Sequence, residues 1–228
     1  GGNSAIPYDQ WTVSACTGKE GRKLAPKEAS YYQAEEDQKV RCCLCPHQCL
    51  LKPEQKGICR VRVNQEGLLY SLNYGQVSSL ALDPIEKKPL YHFYPGRLIL
   101  SAGTWGCNLA CPFCQNYAIA HLDPETRYVS PGELLALALR CQQQGSVGVA
   151  FTYNEPTVWF EYLLDCARLL HEYGQQVVLV TNGHIEAEPL EELLPYIGAM
   201  NIDVKAFRDD FYRRLCKASL AAVKERVE

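Results

Sequence analysis

The chain has 228 residues, 47% of them hydrophobic and 10% aromatic, with a formal net charge of −3. That is enough apolar material for a packed core, expected as one large unit with a small appendage, and there is no basic surplus to recruit nucleic acid or an anionic membrane. No apolar run reaches the roughly 18 residues that a membrane-spanning helix needs.

Residues 1–27 lack periodicity and carry Gly, Pro, Ser and Lys, which reads as a loose lead-in. They begin Gly1-Gly2-Asn3-Ser4 and Met200 is the one methionine, so the start is expected to be processed or cut; no targeting peptide is visible. Residues 28–96 read as a cysteine-rich metal-binding region with a β-hairpin and a connector. Arg60 to Tyr74 reads as the hairpin, in which Val61, Val63 and Leu68-Leu69-Tyr70 flank the turn Asn64-Gln65-Glu66-Gly67. The stretch from Ala81 to Gly96, rich in Pro and charge, reads as an ordered connector.

From residue 97 to 228 the pattern alternates. Leu98–Ala102 is a short apolar strand. Ser130-Pro131-Gly132-Glu133 is a helix start, with Ser130 as N-cap, Pro131 in the first turn and Glu133 closing a capping box; the helix runs to Gln143. Val147–Thr152 is a strand, Pro156–Tyr173 a helix ended by Gly174, and Gln176–Val180 a strand. A helix at Glu188–Leu194, a strand at Met200–Val204 and a helix at Asp209–Glu228 complete the series. Such βαβα alternation predicts a parallel sheet with outer helices and ligands at the carboxyl ends of the strands.

Twelve cysteines are too many for an ordinary cytosolic enzyme, and they fall in two tight groups at 42–59 and 107–114, with Cys16, Cys141, Cys166 and Cys216 dispersed. Grouping in a chain able to build its own core favours metal ligation in a reducing, cytoplasmic setting over disulfides. Cys107, Cys111 and Cys114 form C-x3-C-x2-C on one short loop. Three thiolates with no fourth nearby leave one iron of a 4Fe-4S cluster free, the arrangement a radical S-adenosylmethionine (SAM) enzyme needs. The alternatives are a zinc site lacking its fourth ligand, or buried small hydrophobes. Upstream, Cys42, Cys45, Cys49 and Cys59 form C-x2-C-x3-C-x9-C, a full ligand set for zinc or for a second iron–sulfur centre, with Cys43 or His47 able to substitute.

Polar residues cluster where strands end. Phe113 offers its ring or backbone to an adenine, or packs as a core aromatic. Asn154 or Glu155 could receive a methionyl ammonium, or cap the following helix. Thr181 and Asn182, before Gly183, could meet a ribose or carboxylate, or form a plain turn. Asn201, Asp203 and Lys205 share one strand face by their period of two, which suggests a polar pocket or an Asp203–Lys205 ion pair.

Several runs together resemble the radical SAM enzymes of the AmmeMemoRadiSam system, relatives of the pyruvate formate-lyase activating enzymes. They are Leu44-Cys45-Pro46-His47 with Cys49, Asp83-Pro84-Ile85-Glu86-Lys87-Lys88-Pro89-Leu90, Phe93-Tyr94-Pro95-Gly96, Gly106-Cys107-Asn108-Leu109, Cys114-Gln115-Asn116, Tyr153-Asn154-Glu155-Pro156 and Asp203-Val204-Lys205. The resemblance implies a partial parallel (β/α) barrel of six strands, a cluster on Cys107, Cys111 and Cys114, and cofactor contacts from the strand ends. Asp203 and Lys205 match the acidic-x-lysine motif that lies near the methionyl group, and Thr181-Asn182-Gly183 matches a segment of that pocket. In place of a Gly-Gly-Glu run stands Tyr153-Asn154-Glu155. The barrel is expected to be truncated after its fourth strand. The expected activity is reductive cleavage of SAM to a 5′-deoxyadenosyl radical that takes hydrogen from a partner-protein glycine or a small molecule, with flavodoxin or ferredoxin as reductant. The competing readings are a two-centre electron carrier and a zinc-bound scaffold.

Overall fold

The computed structural model describes residues 26–227. Of the lead-in read at residues 1–27, residues 1–25, with Cys16, lie outside the described residues, and Lys27 already belongs to the first strand. The N-terminal half is a set of small antiparallel pairings. Strands β1 (Lys27–Glu28), β2 (Tyr32–Ala34), β3 (Val40–Cys42), β4 (Leu50–Leu51), β5 (Arg62–Gln65), β6 (Leu68–Ser71) and β7 (Gln76–Val77) come first. They form the sheets β2-β3-β4 and β1-β6-β5. The β5–β6 hairpin turns on Glu66 (φ 53°) and Gly67 (φ 89°), the doubly left-handed pair whose twist matches that of the flanking strands. Asn64 fixes this turn by accepting from Gly67 N at 2.9 Å while its amide donates to Leu51 O at 2.9 Å.

The main sheet contains β8 (Ser79–Pro84), β9 (Leu98–Gly103), β11 (Ser146–Phe151), β12 (Gln176–Thr181) and β13 (Ala199–Ile202), in the order β13-β12-β11-β9-β8. A short β10 (Arg127–Tyr128) pairs with β7. The last four strands of the main sheet are parallel, as expected, with β8 added antiparallel along β9. The stretch taken as a connector therefore begins inside the sheet. Pro84 sits at the last register position of β8, where a missing N–H is tolerated.

Helices α1 (Tyr117–His121), α2 (Pro131–Gln142), α3 (Phe160–Glu172), α4 (Ala187–Leu193), α5 (Asp209–Phe211) and α6 (Leu220–Val227) complete the chain. The capping box on α2 is present in full: Glu133 N donates to Ser130 Oγ at 3.2 Å and Ser130 N donates to Glu133 Oε2 at 2.7 Å. Pro156–Trp159 is a 3-10 turn that leads into α3. The helix expected from Asp209 onward is broken. After α5 it widens into a π turn at Tyr212–Cys216, and Lys217 adopts φ 57° before α6 begins. Two tethers explain the break. Cys216 O accepts from Ala110 N at 2.9 Å, and Tyr212 Oη accepts from Lys205 N at 2.9 Å, so the segment is shaped by the cysteine loop it backs.

One apolar cluster runs from Val40, Leu44, Leu51 and Leu69 through Leu100, Phe151 and Leu179 to α2 and α3. A smaller one, with Leu109, Cys111, Tyr212, Cys216 and Val223, sits directly behind the cysteine loop. Among the described residues no helix is long and apolar enough to cross a membrane.

Candidate active site

A cavity of about 890 Å³ opens at the carboxyl ends of β9, β11, β12 and β13. Parallel strands direct their free ends and following loops to one side, so residues far apart in sequence meet there. Its lining includes Cys107, Cys111 and Cys114 together with Phe113, Asn154, Glu155, Thr181, Asn182, Asp203 and Lys205. The structure thus brings these cluster and SAM candidates to one place, whereas Asn201, read on one strand face with Asp203 and Lys205, does not line the cavity. Cys42, Cys45, Cys49 and Cys59 do not line it and gather around a separate small cavity.

The cysteine loop is held on three sides. Asn154 accepts from Thr104 N at 3.1 Å and donates to Gly106 O at 2.9 Å, fixing the approach to Cys107. Asn182 donates to Asn108 Oδ1 at 2.9 Å, and Asn108 donates to His184 O at 2.6 Å. His47 contacts Asn108 O at 2.7 Å through Nε2. Gly106 has φ 91°, and a Cβ there would lie 2.5 Å from Val61 Cγ1 and 2.8 Å from Cys59 O, so only glycine lets the loop press against the upstream segment.

Glu155 is buried and accepts four hydrogen bonds: from Thr157 N at 3.0 Å, Thr157 Oγ1 at 2.7 Å, Thr181 Oγ1 at 2.7 Å and Asn182 N at 2.7 Å. It ties the end of β11 to the end of β12. Burial pushes its carboxyl up despite those donors. Asn154, likewise, has both ends of its amide engaged. These two residues shape the pocket floor, whereas Phe113, half exposed and 5.5 Å from the Phe211 ring, stands at the rim.

Asp203 and Lys205 follow the end of β13 and are ion-paired with each other. The strand before them, β13, lies at the edge of the sheet, and each of its residues is half-buried, so neither charge has to be buried deeply. The ion pair and the pocket are therefore both present.

The opposite wall went unread in the sequence. Asp83 receives Lys88 Nζ at 2.9 Å, Lys87 Nζ at 3.0 Å and Tyr153 Oη at 2.8 Å. Burial opposes its ionisation, but these donors prevail and hold its carboxyl well below the usual carboxylate range. Burial lowers the Lys88 ammonium in turn, against the pull of Asp83. The signal was an aspartate four and five residues before two lysines at the end of an apolar strand.

The donor chemistry suits an iron–sulfur group: three soft thiols on one loop, backed by apolar residues and facing a polar cavity. Among the described residues, no three His, Cys, Asp or Glu side chains converge closely enough to grip an ion as they lie. Cys111 shows one reason, since its thiol turns to hydrogen-bond Cys216. Burial pushes Cys111 up to about 12, and burial with the neighbouring Glu155 charge raises Cys107 as well. Both stay protonated at neutral pH until a cation displaces the proton.

Residues 103–228 match the family model described as the Radical SAM superfamily. The chain belongs to the radical SAM superfamily. Membership implies a 4Fe-4S cluster and SAM as cofactors. An uncharacterised protein of Methanocaldococcus jannaschii, MJ0808, is 44% identical over 202 residues, covering 87% of this chain and 59% of that protein. The pyruvate formate-lyase-activating enzyme of Clostridium pasteurianum is 29% identical over 117 residues, 47% of this chain and 46% of that enzyme. The chain thus spans about half the length of these relatives. Among solved structures, QueE from Escherichia coli superposes with a TM-score of 0.46 at 17% identity, covering 66% of each chain. TYW1 with a lysine-pyruvate adduct bound gives 0.39 at 18% identity, covering 65% of this chain and 59% of that one.

Proposed function

We propose that Cys107, Cys111 and Cys114 hold a 4Fe-4S cluster and that this radical SAM chain uses it to cleave SAM reductively and take hydrogen from a substrate. A cluster held by these three cysteines would supply the electron for reductive cleavage of SAM. The observation that carries the reading is that three thiols and all seven SAM candidates share one cavity at the strand ends.

The side chains divide into two roles. Phe113 at the rim is available to the adenine face, and Asp203 and Lys205 are available to the amino and carboxylate groups of the methionyl part, exchanging their mutual ion pair for the ligand. Asn154, Glu155, Thr181 and Asn182 act by position, setting the cysteine loop and the pocket floor. The likeness to the C. pasteurianum activating enzyme favours a glycine of a partner protein as the hydrogen donor, with a small molecule as the competing substrate. A flavodoxin or ferredoxin would supply the electron. Cys42, Cys45, Cys49 and Cys59 form a second metal centre, separate from the first.

The test is anaerobic reconstitution, chemical reduction and an assay for 5′-deoxyadenosine. The native chain is expected to bind about four irons and to form the product, and Cys111→Ala to lose both. Iron loading and product unaffected by Cys111→Ala would refute the assignment.

A further inference from the structure

The second group of cysteines is built as a closed pocket. Cys42 ends β3, and its N–H donates to Cys49 O at 3.0 Å across the loop that carries Cys45. Gln48 N donates to Cys45 O at 3.0 Å with Gln48 at φ 42°, so Cys45-Pro46-His47-Gln48 is a tight turn that returns the chain to Cys49. A second turn, Gly57-Ile58-Cys59-Arg60, closes with Arg60 N on Gly57 O at 2.8 Å and brings Cys59 to the same spot. From the Cβ position of Gly57, Cys59 Sγ lies at 3.7 Å and Cys49 Sγ at 3.8 Å. The four thiols line one cavity with Leu44, His47 and Arg62, and closing on an ion requires them to draw in from where they lie.

Three further observations say what the pocket takes. Backbone N–H groups of Leu44, His47 and Val61 point at the sulfurs of Cys42, Cys45 and Cys59, each two residues further along the chain. Such donors fix the direction in which each sulfur points. Arg62 is 1% exposed; Nη1 donates to Ser30 O at 3.0 Å and Nη2 to both Glu161 oxygens at 2.7 and 3.0 Å, yet Nε has no partner. A buried N–H without an acceptor is costly, and this guanidinium lies beside the Cys42 and Cys59 sulfurs, which would accept from it as thiolates. Finally, the cavity is about 20 Å³, room for one atom and not for an eight-atom cube.

We propose that Cys42, Cys45, Cys49 and Cys59 bind a single tetrahedral divalent ion of the zinc class, with Arg62 as the buried counter-charge that bonds its thiolates. This rests on the reading of these four cysteines as a second metal centre and decides its kind. Cys43 turns away to Arg41 O at 3.5 Å, and His47 is engaged with Asn108 O, so neither competes as a ligand. Four protein ligands close the site, which gives it a structural and not a catalytic role. That role is to wall the cysteine loop. Gly106 abuts Cys59 O and Val61, His47 reaches Asn108, and Leu44 O accepts from Glu186 N at 3.0 Å.

Zinc and iron are counted on the anaerobically purified chain, in the native form and in Cys49→Ser, Cys59→Ser and Cys111→Ala. The expected result is about one zinc per chain, lost at least five-fold in Cys49→Ser and Cys59→Ser and retained in Cys111→Ala, which loses only iron. Should the serine variants fail to fold, cobalt loading of the native chain decides, since four thiolates give the intense charge-transfer and d–d bands of a tetrahedral cobalt site. Iron in place of zinc at these thiols, absence of any metal, or a cobalt spectrum without thiolate character would each overturn the proposal. Loss of zinc with iron intact, or the reverse, separates failure at one centre from failure at the other.

Discussion

Replacing Glu155 tests whether the floor of the cavity is held by the protein itself. Its carboxylate accepts from two backbone N–H groups and two threonine hydroxyls. In Glu155→Ala the hydroxyls can rotate to new acceptors, whereas Thr157 N and Asn182 N are stranded in a buried site. At about 1–3 kcal/mol for each orphaned group, the loss is about 4 kcal/mol before any cavity cost. Glu155→Gln keeps an acceptor for three donors but presents an amide N–H to Asn182 N, so one group is stranded and the loss is about 2 kcal/mol. For a chain of this length each kcal/mol moves Tm by about 2–4 °C. Thermal unfolding of the metal-free chain by circular dichroism should therefore show falls of about 8–16 °C for Ala and about half that for Gln. If Glu155 acted only as a contact for bound SAM, neither variant would change the metal-free protein. An Ala variant within about 1 kcal/mol of the native chain would refute the reasoning.

Asp83 carries a pH signature. Its carboxyl titrates lower in the folded chain than in the unfolded one, so its stabilisation is complete above about pH 4 and is lost as pH falls below that value. Asp83→Asn, which leaves Lys88 buried beside a neutral amide, should cost about 3–5 kcal/mol at pH 7, a gap that narrows on acidification; denaturant titrations from pH 7 to pH 3 would show it. An unchanged gap across that range would sink the assignment. At the cysteine loop, Gly106→Ala combines a left-handed backbone with a 2.5 Å collision on Val61 and should cost about 3 kcal/mol. Gly145→Ala, equally left-handed at φ 93° but facing open space, should cost about 1–2 kcal/mol. Equal losses in chemical denaturation would show that the contact with Val61 does not matter.

The parallel strands and α2 were legible because their signals are local: apolar runs of strand length, Gly at helix ends, and Ser130 with Glu133 around Pro131. The cysteine groups were legible because short spacing confines the thiols to one loop regardless of the fold. β8 was hidden because its apolar residues run straight into Asp83, Pro84 and two lysines, and the charge that marks a connector belongs instead to a buried network at the cavity wall. The break after Tyr212 was hidden for a different reason. Arg213, Arg214 and Leu215 are good helix formers, and what bends the segment is Ala110, more than 100 residues away, which takes the Cys216 carbonyl. Roles at the site divide the same way. Sequence spacing put Asn154 and Glu155 at a strand end, but whether such a residue faces a ligand or braces a neighbour depends on partners in other elements. Thr181 and Asn182 occupy the Glu155 oxygens, and Thr104 and Gly106 occupy Asn154. A strand-end polar residue is free for a ligand only when the next strand has not already claimed it. By that criterion the residues left open to a cofactor are Phe113 at the rim and the mutually paired Asp203 and Lys205 beyond the edge strand.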